Sequence, residues 1–374
     1  MSNSLTAMLS LLNNFNLSDI PIAVLVGLSF LISALVAFLI LPPIIETARR
    51  NRILDTPNAR TSHSVPTPRL GGIAIFFSML ISLAITDELS TSLHFQASMY
   101  AGIFIIFLTG ILDDFSHLDA RKKLTGQLLV TGIIIFGMDI SIDYLYGFAG
   151  LESLPAWASV SLSALVIIVI INAFNLIDGI NGLSGSMTVL AGLIFGIWFY
   201  LVGAYLYSLL AFALVGASCS FLYFNWSPSK IFLGDSGSLL NGTIVSILVV
   251  AFLHLHHNLP EGVIWKVDAA PAVVICILMV PLFDTFRVFL IRIFSGKSPL
   301  SPDRNHIHHI LIDAGYTHSQ STLMLVILNL AFVLTAFGLN FIGGIALYVL
   351  ITLMLLLIAR LFAYIRIRNR QRVK

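Results

Sequence analysis

Charge is what this 374-residue chain has least of: Asp, Glu, Lys and Arg make up 10% of it, while 58% of its residues are hydrophobic. Soluble domains carry roughly 25% charged and 45–50% apolar residues. That deficit excludes an ordinary soluble domain and points to a polytopic membrane protein, with no nucleic-acid partner expected. Cysteine is nearly absent too. Cys219 and Cys276 both sit inside apolar runs, with neither disulfide-framework nor zinc-ligand spacing, and read as packing residues. The first twenty residues hold no Lys or Arg, and the apolar run behind them is longer than a signal-peptide core, so no cleaved signal is expected. No repeat, low-complexity tract or long linker divides the chain, and residues 1–374 are read as one integral membrane domain.

Long apolar runs are what remains. They fall at about 20–45, 71–86, 97–112, 124–138, 157–174, 185–202, 205–224, 237–255, 269–294, 321–339 and 341–363. The expected fold is therefore all-α with about eleven transmembrane helices. If the two termini lie on opposite sides, nineteen of the twenty basic residues fall on one face and only Lys266 on the other. By the positive-inside rule that face is cytoplasmic, with the N-terminus outside. Residues 139–150 alternate and hold aromatics, which predicts a short external hairpin.

The same parity places every chemically suggestive cluster on the cytoplasmic face. In NAFNLIDGINGL an apolar run ends in Asn172, Asn175 and Asp178, followed by Gly179 and Gly182. Spaced every third residue, the three polar side chains drift only about 60° each around a helix axis and stay near one side. Oxygen-bearing groups at the mouth of a span suit a hard cation or a phosphate-bearing ligand. LDDFSHLDARKKL sets Asp113 and Asp114 side by side, nine and ten residues before Lys123; adjacent carboxylates repel unless a cation or proton is shared. FLGDSGS places Asp235 between glycines before a span, with Ser236 or Ser238 as the expected helix cap. SPDRNHIHH gathers Arg304, His306, His308 and His309. No cysteine or carboxylate beside them completes a zinc site, and arginine suits phosphate bidentately, so a diphosphate clamp is the preferred reading over a metal. Arg69 closes the basic, proline-stiffened loop ARTSHSVPTPRLGG. Asp284, one turn before Arg287, reads as a structural carboxylate neutralised by that arginine, and His254, His256 and His257 fall on the outer face.

Taken in order, PTPRLGG, LDDFSHLDARKKL, NAFNLIDGINGL, FLGDSGS and SPDRNHIHHI resemble the motifs of the polyprenyl-phosphate N-acetylhexosamine-1-phosphate transferases, glycosyltransferase family 4. The last motif resembles most the bacterial undecaprenyl-phosphate N-acetylglucosamine-1-phosphate branch. The resemblance covers about residues 60–315 and implies a multi-pass enzyme of the bacterial inner membrane. Such an enzyme takes a sugar 1-phosphate from a UDP-sugar to polyprenyl phosphate and releases UMP. It implies Mg²⁺, with Mn²⁺ as a substitute, at Asn175 and Asp235; Asp113, Asp114 and Lys123 serving the lipid phosphate; and Arg304, His306, His308 and His309 facing the nucleotide diphosphate. On this reading Asp113, Asp114 and Asp178 are the candidate catalytic groups, and Arg69 and Asn172 join the substrate-binding set. Asn181 stands where many bacterial members carry Asp and is given no role. A phosphate monoester is already largely dianionic at neutral pH, its second pKa being about 6, so Asp113 and Asp114 are expected to orient the acceptor more than to deprotonate it. A homodimer is left open, as is the sugar. The competing class is a transporter of phosphorylated metabolites, which would place its polar groups nearer the bilayer midplane and often show repeat symmetry.

The charge asymmetry makes one direct prediction. A topology reporter fused after Lys374 should be active only in the cytoplasm, and one fused before Met1 only outside. An external C-terminus would mean a miscounted span.

Overall fold

A computed structural model describes residues 20–55, 65–86, 93–146, 152–296, 305–340 and 343–373, with side chains as far as 369. Its elements are α1 (Ile22–Arg50), α2 (Gly71–Thr86), α3 (Leu93–Ser116), α4 (Ala120–Gly132, continued by a π-turn over Ile133–Gly137) and α5 (Ala156–Leu176). Then follow α6 (Leu183–Leu201), α7 (Tyr205–Asn225), α8 (Gly234–His257), α9 (Ala270–Ile277) and α10 (Met279–Phe294). The last three are α11 (Ile307–Asp313), α12 (His318–Gly338) and α13 (Gly344–Val373). Among the described residues there is no strand, only isolated bridges at Asp55–Thr67 and Tyr144–Ser153.

All the apolar runs are helical where described, as a bilayer demands, because a chain in lipid must satisfy its own amides. Among the described residues, eight helices can cross a membrane by length and composition, or nine if α9 and α10 together form one span. The expected count of eleven is thus met in part. Helix α2 has only 16 residues and α4 only 13 before its π-turn. The run at 269–294 is not one rod but two helices bent by 82°. Pro281 has no N–H for the carbonyl of Ile277, and Asn329 of α12 takes over: its Nδ2 donates to Ile277 O at 2.9 Å while its Oδ1 accepts from Val280 N at 2.9 Å. The hairpin expected over residues 139–150 pairs further along, between segments around 143–145 and 152–154. Leu145 donates to Glu152 O and Leu154 to Asp143 O, each at 2.8 Å, and residues 147–151 lie outside the described set.

Helix α8 is the axis of the bundle. Nearly all of its residues are buried, whereas α1 and α13 turn Leu31, Leu35, Leu39, Leu353 and Leu357 outward as a lipid-facing surface. Helices α2, α3, α5, α6 and α7 all pack around it. Small residues permit the closest approaches: a Cβ on Gly72 would lie 2.2 Å from Gly237 N, and one on Gly110 would lie 2.3 Å from Ser236 Cα. Helices α2 and α3 therefore meet the first turn of α8 backbone to backbone. With 24 residues α8 is roughly 36 Å long, so its two ends are a membrane thickness apart.

Gly110→Val should push α3 off α8 and destabilise the protein by more than the about 1–3 kcal/mol typical of overpacking, since backbone cannot repack. Gly132→Ala, with nothing within 4 Å of the added methyl, serves as the control and should melt in detergent like the parent.

Candidate active site

Two distant loops are zipped together to open α8. Phe232 N donates to Pro68 O at 2.7 Å, Gly71 N to Phe232 O at 2.9 Å, and Gly72 N to Leu233 O at 2.9 Å. Gly234 follows at φ +76°, where any Cβ would collide with Arg69 O at 2.5 Å and with the Asp114 carboxylate at 2.8 Å. The chain thus delivers Asp235 to the mouth of the bundle beside Arg69.

The adjacent carboxylates of α3 part company. Asp114 caps α8: its two oxygens accept from Asp235 N at 2.7 Å and Ser236 N at 3.0 Å. This corrects the expected serine cap, for no side chain of the α8 segment caps its own helix, and Ser236 Oγ is buried without a partner. A carboxylate there satisfies two orphan amides and complements the positive end of the helix dipole. Asp113 instead accepts from Leu118 N at 2.8 Å and forms an ion pair with Lys123.

Lys123 joins both carboxylates. Its Nζ lies 3.0 Å from Asp235 Oδ1, the same oxygen that accepts from Asn175 Nδ2 at 2.6 Å. Asn175 also donates to Ser238 Oγ at 2.9 Å. Asn172, one turn earlier on α5, does not reach this group. It exchanges amide hydrogen bonds with buried Gln127 of α4, at 2.9 and 3.3 Å, and donates to Ile168 O. This pair fixes α4 against α5 one turn below the point where Lys123 and Asn175 meet Asp235.

Above these groups lies a cavity of about 300 Å³, walled by Arg69, Asn175, Asp178, Asn181, Asp235, Ser238 and His309 among others. Asp178 sits in the turn after α5. Burial pushes its carboxyl well above the ordinary carboxylate range, Asp235 and Asp114 push the same way, and Arg69 opposes them. The turn is pinned from three sides. Gly182 N donates to Asn225 Oδ1 at 2.7 Å, Thr322 Oγ1 donates to Asn181 O at 2.8 Å, and a Cβ on Gly179 would strike His308 Nε2 at 2.2 Å.

The histidine segment is latched from below. Asp284 accepts from Ile307 N at the start of α11 and meets His306 Nδ1, each at 2.9 Å, while Arg287 bonds both Asp284 and the carbonyl of Asn305. Asp284 is structural, as expected, with His306 an additional partner. His306 and His308 are both buried and stack at 5.5 Å, and His309 stands next to His308 at 4.3 Å. Burial drives the His308 pKa down to about 3, so its imidazole is neutral. Of this segment only His309 lines the cavity; Arg304, with Arg60 and His63, lies outside the described residues. At the far end of α8 both ring nitrogens of His256 are engaged, by Tyr146 and by Val267 N.

The donor set fits a hard divalent cation. Asn175, Asp178 and Asp235 line one cavity, and five carboxyls (Asp55, Asp113, Asp114, Asp178, Asp235) stand against two cations, Lys123 and Arg69. Among the described residues no three His, Cys, Asp or Glu form a metal-binding group. A cation here would rest on one carboxylate, one amide and oxygens from a ligand, which is how Mg²⁺ is usually held.

Two site residues escaped the sequence reading. Asp55 pairs with Arg69 at 3.0 Å and lines the cavity; it is the only acid between residues 47 and 86, and that isolation was its signal. Gln127 sits four residues after Lys123 inside an apolar run, hence on the same helix face.

The profile of glycosyl transferase family 4 matches residues 96–253. A probable undecaprenyl-phosphate N-acetylglucosaminyl 1-phosphate transferase from Bacillus subtilis is 32% identical over 312 residues, covering 82% of this chain and 83% of its own. A decaprenyl-phosphate N-acetylglucosaminephosphotransferase from Mycolicibacterium smegmatis is 30% identical over 72% of this chain and 71% of its own. An undecaprenyl-phosphate alpha-N-acetylglucosaminyl 1-phosphate transferase from Escherichia coli K12 is 28% identical over 75% of each.

The divergence of the paired carboxylates is testable by unfolding in detergent. Asp114→Asn leaves one α8 amide facing an NH₂ group and should destabilise the protein by about 1–2 kcal/mol. Asp113→Asn keeps the acceptor for Leu118 N and should cost well under that. Equal losses would sink the assignment of Asp114 as the cap.

Proposed function

The chain belongs to glycosyl transferase family 4, and from that premise we propose that it transfers N-acetylglucosamine 1-phosphate from the UDP-linked sugar to undecaprenyl phosphate. UMP leaves and a lipid-diphosphate sugar forms, the first committed intermediate of a cell-envelope polysaccharide. One observation carries the proposal: Asp235, Asn175, Asp178, Lys123 and Arg69, drawn from four separate chain segments, meet at one end of the bundle around a polar cavity. Only a reaction between a lipid-borne and a soluble phosphate needs that placement. That end is assigned to the cytoplasm on the strength of the basic asymmetry, which puts the enzyme in the bacterial cytoplasmic membrane.

Donor and acceptor each bring about two negative charges, so neutralisation and alignment dominate the barrier. Asp235 and Asn175 would hold Mg²⁺, which would offset the charge that builds on the phosphate oxygens during transfer. Lys123 stands where an acceptor phosphate entering along α3 and α4 would meet it, with Asp113 holding the ammonium in place. Arg69 and His309 line the same cavity and would face the donor's diphosphate. Asp178, whose carboxyl burial pushes well above the ordinary carboxylate range, lines the same cavity and would add an oxygen to the metal's set.

A transporter is the second reading, favoured by the broken span α9–α10. A discontinuous transport helix would need its break open to a substrate, whereas here the break is buried and Asn329 closes it.

Purified protein should release UMP from the UDP-sugar only when polyprenyl phosphate is present. Asp235→Asn should lower that rate by orders of magnitude across a Mg²⁺ titration while melting like the parent. Near-parental turnover with unchanged Mg²⁺ dependence would falsify the metal assignment, and UDP-sugar uptake into vesicles without UMP release would favour the transporter.

A further inference from the structure

Lys123 holds a position that a metal cation at Asp235 must contest. Its Nζ is 3.0 Å from Asp235 Oδ1, and the same oxygen accepts from Asn175 Nδ2 at 2.6 Å. Both contacts turn N–H hydrogens toward an atom that a cation could use only through its lone pairs. Two positive charges within a few ångströms also repel strongly in a half-buried site. The ammonium has somewhere to go, because it already touches Asp113, which does not line the cavity. Its helix need not move. Gln127, one turn on, is locked to Asn172, so the flexible four-carbon stem of Lys123 can swing while its backbone stays fixed.

We propose that Lys123 is the resident counter-ion of Asp235, that an entering divalent cation displaces it, and that the displaced ammonium becomes the ligand of the acceptor phosphate. The proposal rests on Asp235 being the metal's ligand. Its consequence is cooperativity. Metal binding frees the lysine for phosphate, phosphate draws the lysine away from Asp235, and by linkage each ligand strengthens the other by the same factor. With neither ligand present, the site keeps its carboxylates paired and binds metal weakly.

The test is Mn²⁺ binding to the full-length protein in detergent, read from the loss of the free-ion electron paramagnetic resonance signal, with no nucleotide sugar present. Lys123→Met should tighten Mn²⁺ by about tenfold or more, and Lys123→Arg should leave it near the parental value. Lys123→Gln repeats the neutral substitution with a polar head, should the methionine disturb folding. Farnesyl monophosphate should tighten Mn²⁺ several-fold in the parent and not in Lys123→Met. Unchanged or weaker Mn²⁺ binding in both neutral variants, with Asp235→Asn weakened, would overturn the exchange and leave the metal assignment standing. Parental Mn²⁺ binding in Asp235→Asn would overturn both. Equal tightening by farnesyl monophosphate in parent and variant would overturn the cooperative step.

Discussion

A helix that starts inside a protein leaves amide hydrogens that water cannot reach, and this bundle depends on how that need is met at the head of α8. Asp114 takes the amides of Asp235 and Ser236, and Gly72 and Gly110 let α2 and α3 close on the same turn at backbone distance. Three helices and the loop before α8 are thereby fixed to one point. Asp235, as the first acidic residue of that turn, points where the turn points, and its neighbours Asn175 and Lys123 are set by helices packed around the same axis.

The electrostatics follow from that placement. Bringing Asp55, Asp113, Asp114, Asp178 and Asp235 together against Lys123 and Arg69 leaves the site short of positive charge, and burial together with Asp235 and Asp114 pushes the Asp178 carboxyl well above the ordinary range. Such a site favours ligands that bring a cation with them, as a magnesium-bound diphosphate does. The stability contributed by Asp114 and the chemistry proposed for Asp235 are therefore parts of one arrangement, in which a structural carboxylate holds a reactive one in position.

Two polar groups away from the cavity repair the backbone. Asn329 bridges the gap that Pro281 opens between α9 and α10, and Asp284 caps α11 while holding His306. Neither lines the cavity, yet Asp284 sets the helix that carries His309 to its rim. Buried polar side chains in a membrane protein are functional candidates by default; here the distinguishing feature is whether their hydrogen bonds end on backbone amides and carbonyls or on other side chains at the cavity.

The sequence by itself determined the helical membrane architecture, because apolar runs of spanning length have no other way to satisfy their amides in lipid, and it determined which five segments carry the polar chemistry. Periodicity could place Asn172, Asn175 and Asp178 on one side of a helix, and the basic residues could mark one face. What only the tertiary structure decided were the partners. Asp113 and Asp114 are indistinguishable as a dipeptide, and their roles separate because successive helical residues point about 100° apart, one toward Lys123 and the other toward the end of α8. Asn172 and Asn175 separate in the same way, toward Gln127 and toward Asp235. The break at 278 and the cap from 121 residues away belong to long-range contacts, which no local pattern encodes.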